Sequence, residues 1–397
     1  MGKVLVLNTG SSSVKFALYD PGVDNLTIRG GITRMGTRSC TLSVERFYTG
    51  EKGEGEVVDG GPCRVKDADA AVPFILDLLL KENRIDSLHD VALIGHRVVH
   101  GGKKYDKATL VTEDVLKDIS YYSRYAPLHN PHNLRGIRRC QHLLKGVPNV
   151  AVFDTAFHRT LPAKACLYGL KPELDERHGI RKYGFHGTNH KWCAHRAAEF
   201  LGGMPRRLVT CHLGNGSSVT AIKDGQSVET SMGFTPLDGV IMGTRPGSLD
   251  PGIVLQLLIE LKLKPEDVAR MLNQESGLLA LGGKKDVRDL WKLARDGDKR
   301  AIIALDKLAS DVVKHIGAYA ATLNGLDCLV FSGGIGENAW YIRSEVCQHL
   351  GHLGVLIDTE KNQRGEHDIS APGARVKTFI VAANEELQIA RETYQHA

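Results

Sequence analysis

The sequence has no C-x-x-C pair. Its eight cysteines (Cys40, Cys63, Cys140, Cys166, Cys193, Cys211, Cys328 and Cys347) are scattered, so neither a zinc site nor a disulfide framework is expected. Several lie inside apolar runs and read as buried thiols. No apolar run approaches the roughly 18 residues of a membrane span, and no charged-then-apolar leader opens the chain, so the cytoplasm is the expected location and no membrane partner is expected. A Lys/Arg block is missing too. The longest basic cluster, around Arg135 to Arg139, falls on a helical pattern, and a net charge of +5 over 397 residues gives no support for a nucleic-acid partner. That mild positive balance suits anionic small molecules. No low-complexity linker occurs, so the two domains that this length allows are expected to share a packed hinge region.

What is present begins with residues 208–225. Two short apolar runs flank Gly214-Asn215-Gly216-Ser217-Ser218, and Asp224-Gly225 closes the segment, a pattern that predicts a β-hairpin. Its bend is too small-sided to fill a core. Backbone N–H groups and hydroxyls gathered there suit phosphate oxygens. The N-terminus repeats the design: Val4-Leu5-Val6-Leu7, then Asn8-Thr9-Gly10-Ser11-Ser12-Ser13, then an apolar run ending at Tyr19. Two such copies predict a duplicated fold with phosphate-facing hairpins opposed across a cleft, against the plainer reading of two unrelated Gly/Ser turns.

Strands are further expected over 26–32, 41–48 and 91–94, and at Asn149 to Phe153. A polar Gly-rich loop is expected over 51–62, and helices over 71–81, with Pro73 in the first turn, and from Pro131 to Leu144. Alternating strands and helices argue α/β with a mixed sheet. An irregular region over 155–187 precedes a helix near 192–200. Apolar residues at 302, 305, 309, 312, 316, 320 and 323 predict one long helix over 299–323, which Asn324-Gly325 stops. A buried strand at 328–331, a tight loop over 332–338 and a helix over 339–350 follow. A strand at 376–381 and a helix from Asn384 end the chain.

Some residues look chemical. Arg97, in Gly95-His96-Arg97-Val98-Val99-His100-Gly101-Gly102, follows a buried strand and should project where ligands sit in α/β folds, the alternative being a surface ion pair. Arg245, in Met242-Gly243-Thr244-Arg245-Pro246-Gly247, lies in a small-residue loop. A pair of converging guanidinium groups suits a phosphoryl or carboxylate substrate. His186 and His129 each occupy an irregular segment, where a single histidine is more often structural than catalytic. Asp154 ends a buried strand and needs a cation: arginine, Mg²⁺ or both. Glu385 and Glu386 open a helix, where negative charge is favoured in any case. The segment Gly334-Ile335-Gly336-Glu337-Asn338-Ala339 also fits a dinucleotide fingerprint, with Asp358 as its acidic partner. Too little chain follows for a Rossmann second half, which leaves an NAD-dependent dehydrogenase as the runner-up.

Taken together, segments 8–15, 95–102, 126–131, 153–158, 183–188, 212–218, 230–245 and 333–338 resemble the acetate kinase (acetokinase) family, within the superfamily of sugar kinases, heat-shock ATPases and actin. The resemblance spans residues 4–390. It implies an α/β, two-domain duplicated ribonuclease H-like (actin-like ATPase) fold with mixed sheets and a central cleft, its domains at 1–154 and 155–387 and the terminal helix 388–397 packed back on the first. It implies reversible transfer of the γ-phosphoryl group of ATP to acetate, giving acetyl phosphate and ADP, in a homodimer. By motif, Arg97 and Arg245 would hold the carboxylate and the phosphoryl group. His186 would donate to the equatorial oxygens with His129 nearby, and Asp154 would orient the acceptor or act through the metal. Asn8 and Glu385 would support Mg²⁺, or Mn²⁺ in its place. Lys15, His212, Leu213, Gly214, Asn215 and Gly216 would face the nucleotide phosphates. Asp286, Val287, Arg288, Gly334, Ile335, Gly336 and Asn338 would form the adenosine pocket. Val99, Leu128 and Pro236 would wall the methyl pocket, and Val99 favours acetate over propionate, the acceptor of the alternative short-chain acyl kinase reading.

There are departures. Ser248 stands where relatives usually carry an acidic residue, Gly282-Gly283-Lys284-Lys285 is unusually basic, and Ala382-Ala383 replaces a threonine-containing approach to Glu385. None removes a proposed catalytic group. A non-catalytic nucleotide-gated protein of the same superfamily would share the hairpins but would have no use for the two arginines and His186.

Overall fold

The computed structural model describes residues 2–23, 25–47, 56–58 and 60–396. They form two compact units, Met1–Ala156 with Asn384–Ala397, and Phe157–Ala383.

In the first unit β1 (Lys3–Thr9) and β2 (Ser13–Tyr19) make the expected antiparallel hairpin, its bend closed by the Gly10 N–H donating to Ser13 O at 2.8 Å. β3 (Leu26–Thr33), β4 (Thr41–Arg46) and β5 (Glu56–Val58) extend it in antiparallel order. The strand expected over 41–48 thus stops at Arg46. Tyr48, with 51–55 and 59 of the Gly-rich loop, lies outside the described residues. β6 (Val91–Val98) pairs parallel to β1. β7 (Thr109–Leu110) is an antiparallel edge on β8 (Asn149–Phe153), which runs parallel to β6. β6 continues past the expected Ile94 because its polar residues are satisfied in place. His96 is buried and shares a 2.7 Å hydrogen bond with Asn149 Oδ1, and burial pushes its pKa down to about 4. A neutral imidazole can stay inside a sheet.

The period of two sorts β1 between two cores. Leu5 and Leu7 face Ala71, Val72 and Ile75 of the helix Ala68–Lys81, whereas Val4 and Val6 face Ile389 and Ala390 of the C-terminal helix Glu385–Tyr394. The helix Ala68–Lys81 starts earlier than its apolar period suggests, because Asp67 caps it by accepting from Ala70 N at 3.0 Å. Pro73 therefore sits beyond the first turn and supplies no N–H to the carbonyl four residues back. Buried apolar contacts along this helix offset that loss.

The second unit repeats the plan. β9 (Arg207–Leu213), β10 (Ser217–Lys223) and β11 (Gln226–Thr230) form an antiparallel meander, and β12 (Cys328–Ser332) and β13 (Lys377–Ile380) add parallel strands beside β9. Its order β11-β10-β9-β12-β13 matches β3-β2-β1-β6-β8 of the first unit, which is the duplication the two hairpins announced. β11 is an element the sequence pattern did not reveal, since Ser227 and Thr230 are polar yet fully buried. The helix Lys299–Leu323 has the expected bounds. Asp298 accepts from Arg300 N and Ala301 N, and Asn324 ends it in the left-handed region at φ 56°. Its face of Ala304, Leu308, Val312 and Ile316 packs with Val209, Val219 and Ala221 of the sheet in one core.

Three expectations change here. Residues expected as a tight loop at 332–338 form the short helix Gly333–Asn338, because glycines do not prevent helix when the carbonyls at its end find donors. The helix near 192–200 runs over Gly187–Leu201, and the region 155–187 contains the helical turns Ala163–Cys166 and Pro172–His178. Among the described residues no helix is long and apolar enough to cross a membrane.

The C-terminal helix lies so close to β6 that a Cβ on Gly95 would run into Thr393 Oγ1 and lie 2.9 Å from Ile389 Cγ2. Gly95→Ala is expected to destabilise the protein by about 1–3 kcal/mol, read from the denaturation midpoint. Gly203→Ala, where a Cβ would meet nothing within 4 Å, is the control expected to leave the midpoint in place.

Candidate active site

In the first unit the ends of β1, β6 and β8 and the start of the C-terminal helix bring four polar side chains together. Arg97, on the penultimate residue of β6, grips Asp154 at the end of β8, with Nη2–Oδ2 at 2.5 Å and Nε–Oδ1 at 3.2 Å. Its Nη1 donates to Asn8 Oδ1 at 3.3 Å, and Glu385 Oε2 stands 3.7 Å from Nε. The Asp154 side chain is 1 % exposed and that of Arg97 18 %, so the carboxylate is sealed while the Arg97 side chain keeps some exposure. Burial opposes the charge of Arg97, but Asp154 and Glu385 outweigh it and hold the pKa above the ordinary range. A guanidinium carries five N–H donors. The contacts to Asp154 and Asn8 use three, which leaves two for a ligand.

The segment after Arg97 is pinned by buried asparagines of the helix Asn130–Leu143. Asn133 Oδ1 accepts from Val99 N at 3.2 Å while its Nδ2 donates to Thr9 O at 2.6 Å, and Asn130 exchanges hydrogen bonds with both backbone groups of His100. These asparagines were not singled out in the sequence. Val99 is buried, Leu128 is 51 % exposed, and half-buried His129 is the residue before that helix. Lys15 lies opposite Asn8 in the β1–β2 register with its side chain exposed. Pro236 belongs to the other unit.

In the second unit His186 heads the helix Gly187–Leu201 with φ 56°, an uncommon left-handed position for a non-glycine residue. Such strain persists only when the surroundings fix it. Here a buried chain does so: Thr210 Oγ1 to His190 Nδ1 at 2.7 Å, His190 Nε2 to Ser218 Oγ at 2.7 Å, and Ser218 Oγ to His186 Nδ1 at 2.9 Å. Burial, with His158 and His212 alongside, holds the His190 pKa well below its ordinary value. The His186 ring also stacks on His212, centroids 4.2 Å apart. Asn189 Nδ2 lies 2.8 Å from His212 Nδ1 and ties that ring to the same cluster.

Arg245 is the counterpart of Arg97 in chemistry and its opposite in partners. Nη1 donates to Pro236 O at 2.7 Å, and among the described residues it makes no ion pair. Burial alone pushes its pKa down to about 10. A Cβ on Gly216 would lie 2.7 Å from Arg245 Nη2 and 3.3 Å from His186 Nε2, so the glycine of the hairpin bend leaves the space that both side chains use. The arrangement offers one uncompensated cation and one imidazole at a bend rich in small residues, which can bind an oxyanion.

Beside it, a cavity of about 630 Å³ is lined by Gly214, Asn215, Asp286, Val287, Arg288, Gly334, Ile335 and Asn338 of the expected nucleotide set, and by Trp291 and Tyr341. Those two rings stack 4.1 Å apart at 4°. Asp286 caps the helix Val287–Arg295 and pairs with Arg288 at 2.6 Å. Leu213 and Gly336 are buried outside the lining, Gly216 adjoins Arg245, and His212 stacks on His186. Arg343, fully buried and not foreseen, donates to Gly336 O at 2.9 Å, Glu337 O at 2.8 Å and Asn362 O at 2.6 Å, which satisfies the end of the helix Gly333–Asn338. Only its helical offset from that segment could have marked it.

Among the described residues no three His, Cys, Asp or Glu side chains are grouped to hold a metal. Mg²⁺ commonly takes one or two carboxylates and completes its shell with phosphate oxygens and water. The oxygens of Asn8 and Glu385 at the edge of the Arg97 cluster fit that use, whereas both Asp154 oxygens are taken by Arg97.

The chain matches the acetokinase family over residues 3–391. It is 46% identical to the acetate kinase of Acetivibrio thermocellus over 397 residues, 98% of each chain. Among solved structures it is similar to a propionate kinase from Francisella tularensis subsp. tularensis SCHU S4, with a TM-score of 0.91, 40% identity and 100% of both chains covered. It is also similar to Porphyromonas gingivalis acetate kinase, with a TM-score of 0.88, 37% identity, and 100% of this chain and 99% of that one covered.

Gly216→Ala is expected to displace the Arg245 guanidinium and lower turnover by roughly ten- to a hundredfold, since misplacements of an ångström cost that much. An unchanged denaturation midpoint with that loss supports the assignment, and normal turnover refutes it.

Proposed function

The chain belongs to the acetokinase family and has its two-domain actin-like ATPase fold, and on that premise we propose that it transfers the γ-phosphoryl group of ATP to acetate, giving acetyl phosphate and ADP, and runs the reverse reaction. The observation that carries the reading is Arg245, a half-buried guanidinium with no carboxylate partner among the described residues, beside His186 at the Gly216 bend whose neighbours Gly214 and Asn215 line a nucleotide-sized cavity. A bound phosphoryl group would restore the charge balance that burial denies it.

A carboxylate is already a deprotonated nucleophile, so the reaction needs alignment and charge neutralisation more than a general base. An acetate oxygen attacks the γ-phosphorus in line while the bond to the β,γ-bridging oxygen breaks and ADP leaves. Arg97 would hold the carboxylate through the two N–H groups that Asp154 and Asn8 leave open. Asp154 would keep that guanidinium oriented. Arg245 and the imidazole of His186 would take the charge on the equatorial oxygens, and His129 would contribute less. The bend at Gly214–Gly216 would face the phosphates, with adenosine in the cavity between Asp286–Arg288 and Gly334–Asn338. Mg²⁺, held by Asn8 and Glu385 with the nucleotide, would supply neutralisation of the β- and γ-phosphate oxygens. A homodimer and a cytoplasmic location belong to the same reading.

The acceptor's chain length rests on Val99. Its side chain is buried and β-branched, which favours a two-carbon acid, and a relative named propionate kinase makes the three-carbon acid the specific rival.

An acyl-hydroxamate assay with ATP, Mg²⁺ and acetate tests the activity. Nucleotide binding without product would favour a gating protein, and NADH oxidation would favour a dehydrogenase. Arg245→Ala is expected to lose at least about a hundredfold in kcat with an unchanged denaturation midpoint. Arg97→Ala is expected to lose as much and also about 3 kcal/mol of stability, because it leaves the Asp154 carboxylate buried and alone. Near-normal turnover in either variant removes the role given to it. Val99→Ala is expected to raise propionate kcat/KM relative to acetate by about tenfold or more. An unchanged ratio would show that this side chain does not set the acceptor.

A further inference from the structure

Of the eight cysteines seven are buried, and the one that is not, Cys63, has its sulfur 2.9 Å from that of Cys40. The two belong to neighbouring chain segments: Thr41 and Pro62 form an antiparallel bridge, and Cys63 N donates to Cys40 O at 3.0 Å. The closeness is therefore set by backbone pairing. Cys63 also forms part of the wall of a cavity of about 660 Å³ edged by Arg38, Arg64 and Lys66, with no carboxylate among its described lining residues. A reachable thiol, a second thiol behind it and a cationic mouth make up a site that phosphotransfer does not use.

We propose that Cys63 and Cys40 form a reversible dithiol–disulfide switch whose oxidant is an anionic low-molecular-weight disulfide received at this basic mouth. The Cys63 thiolate attacks one sulfur of the external disulfide, forming a mixed disulfide and releasing one thiolate. Cys40 then attacks the Cys63 sulfur, which closes the internal disulfide and expels the second thiolate. Two protein thiols are oxidised, one external disulfide is reduced to two thiols, and the protons lost by the cysteines end on those thiols. Burial, and after it the neighbouring Cys40, pushes the Cys63 pKa up to about 11. The first step is thus slow at neutral pH and accelerates from about pH 7 to about pH 9, as thiolate chemistry requires.

Full-length reduced protein exposed to oxidised glutathione, then alkylated, digested and weighed by mass spectrometry, tests this. The expected product links the Cys40 and Cys63 peptides and is reversed by dithiothreitol. Cys40→Ser is expected to retain glutathione on Cys63, and Cys63→Ser to carry neither adduct nor link while keeping full phosphotransfer activity. Should Cys40→Ser fail to fold, the wild type and Cys63→Ser still decide, since the link requires both residues. Arg38→Glu with Arg64→Glu is expected to slow the reaction with oxidised glutathione by at least about fivefold and to leave that with neutral hydroxyethyl disulfide unchanged. Absence of both link and adduct in the wild type overturns the switch. Equal slowing for the two oxidants overturns the anionic recognition.

Discussion

The ion pair between Arg97 and Asp154 is the constraint from which the first unit's chemistry follows. A carboxylate with almost no exposure at the end of β8 is tolerable only with a cation against it, and Arg97 supplies that cation in bidentate form. The same guanidinium reaches Asn8 on β1 and lies near Glu385 on the C-terminal helix. One charged group thereby fixes the relative positions of two neighbouring parallel strands, the hairpin strand and the last helix. Two of its five N–H donors are left unused by Asp154 and Asn8.

The second unit solves a different problem with the same residue type. Arg245 is half-buried with no counter-charge among the described residues, and its pKa is lowered by that burial. Everything around it conserves space or orientation: Gly216 withholds a Cβ, and the chain from Thr210 through His190 and Ser218 fixes the strained His186. Arg343 does equivalent work behind the cavity, where three carbonyls of two segments depend on one buried guanidinium.

Much of the fold was legible because its signals are local. The two hairpins, the strand Asn149–Phe153 and the helix Lys299–Leu323 each carry their own period and their own stop, and they appear with the expected bounds or nearly so. The misreadings share a cause. The helix Gly333–Asn338 looks like a loop because its glycines lack propensity, yet Arg343 from the next helix accepts responsibility for its last carbonyls. β11 carries no apolar period because its buried positions are hydroxyls whose partners lie elsewhere in the chain, as in the 2.9 Å contacts of Ser227 with His158 and Thr230 with Thr220.

The sequence by itself determined the duplication, the small-sided bends and the identity of the polar groups, since these depend on residue type and short-range spacing. Only the tertiary structure decided which arginine is compensated and which is not, because Arg97 and Asp154 are brought together by β6–β8 pairing across 57 residues. It also decided that Asn130 and Asn133 hold the strand end, and that two unremarkable cysteines stand sulfur to sulfur. Charge state and reach are properties of surroundings, and surroundings exist only once distant segments have packed.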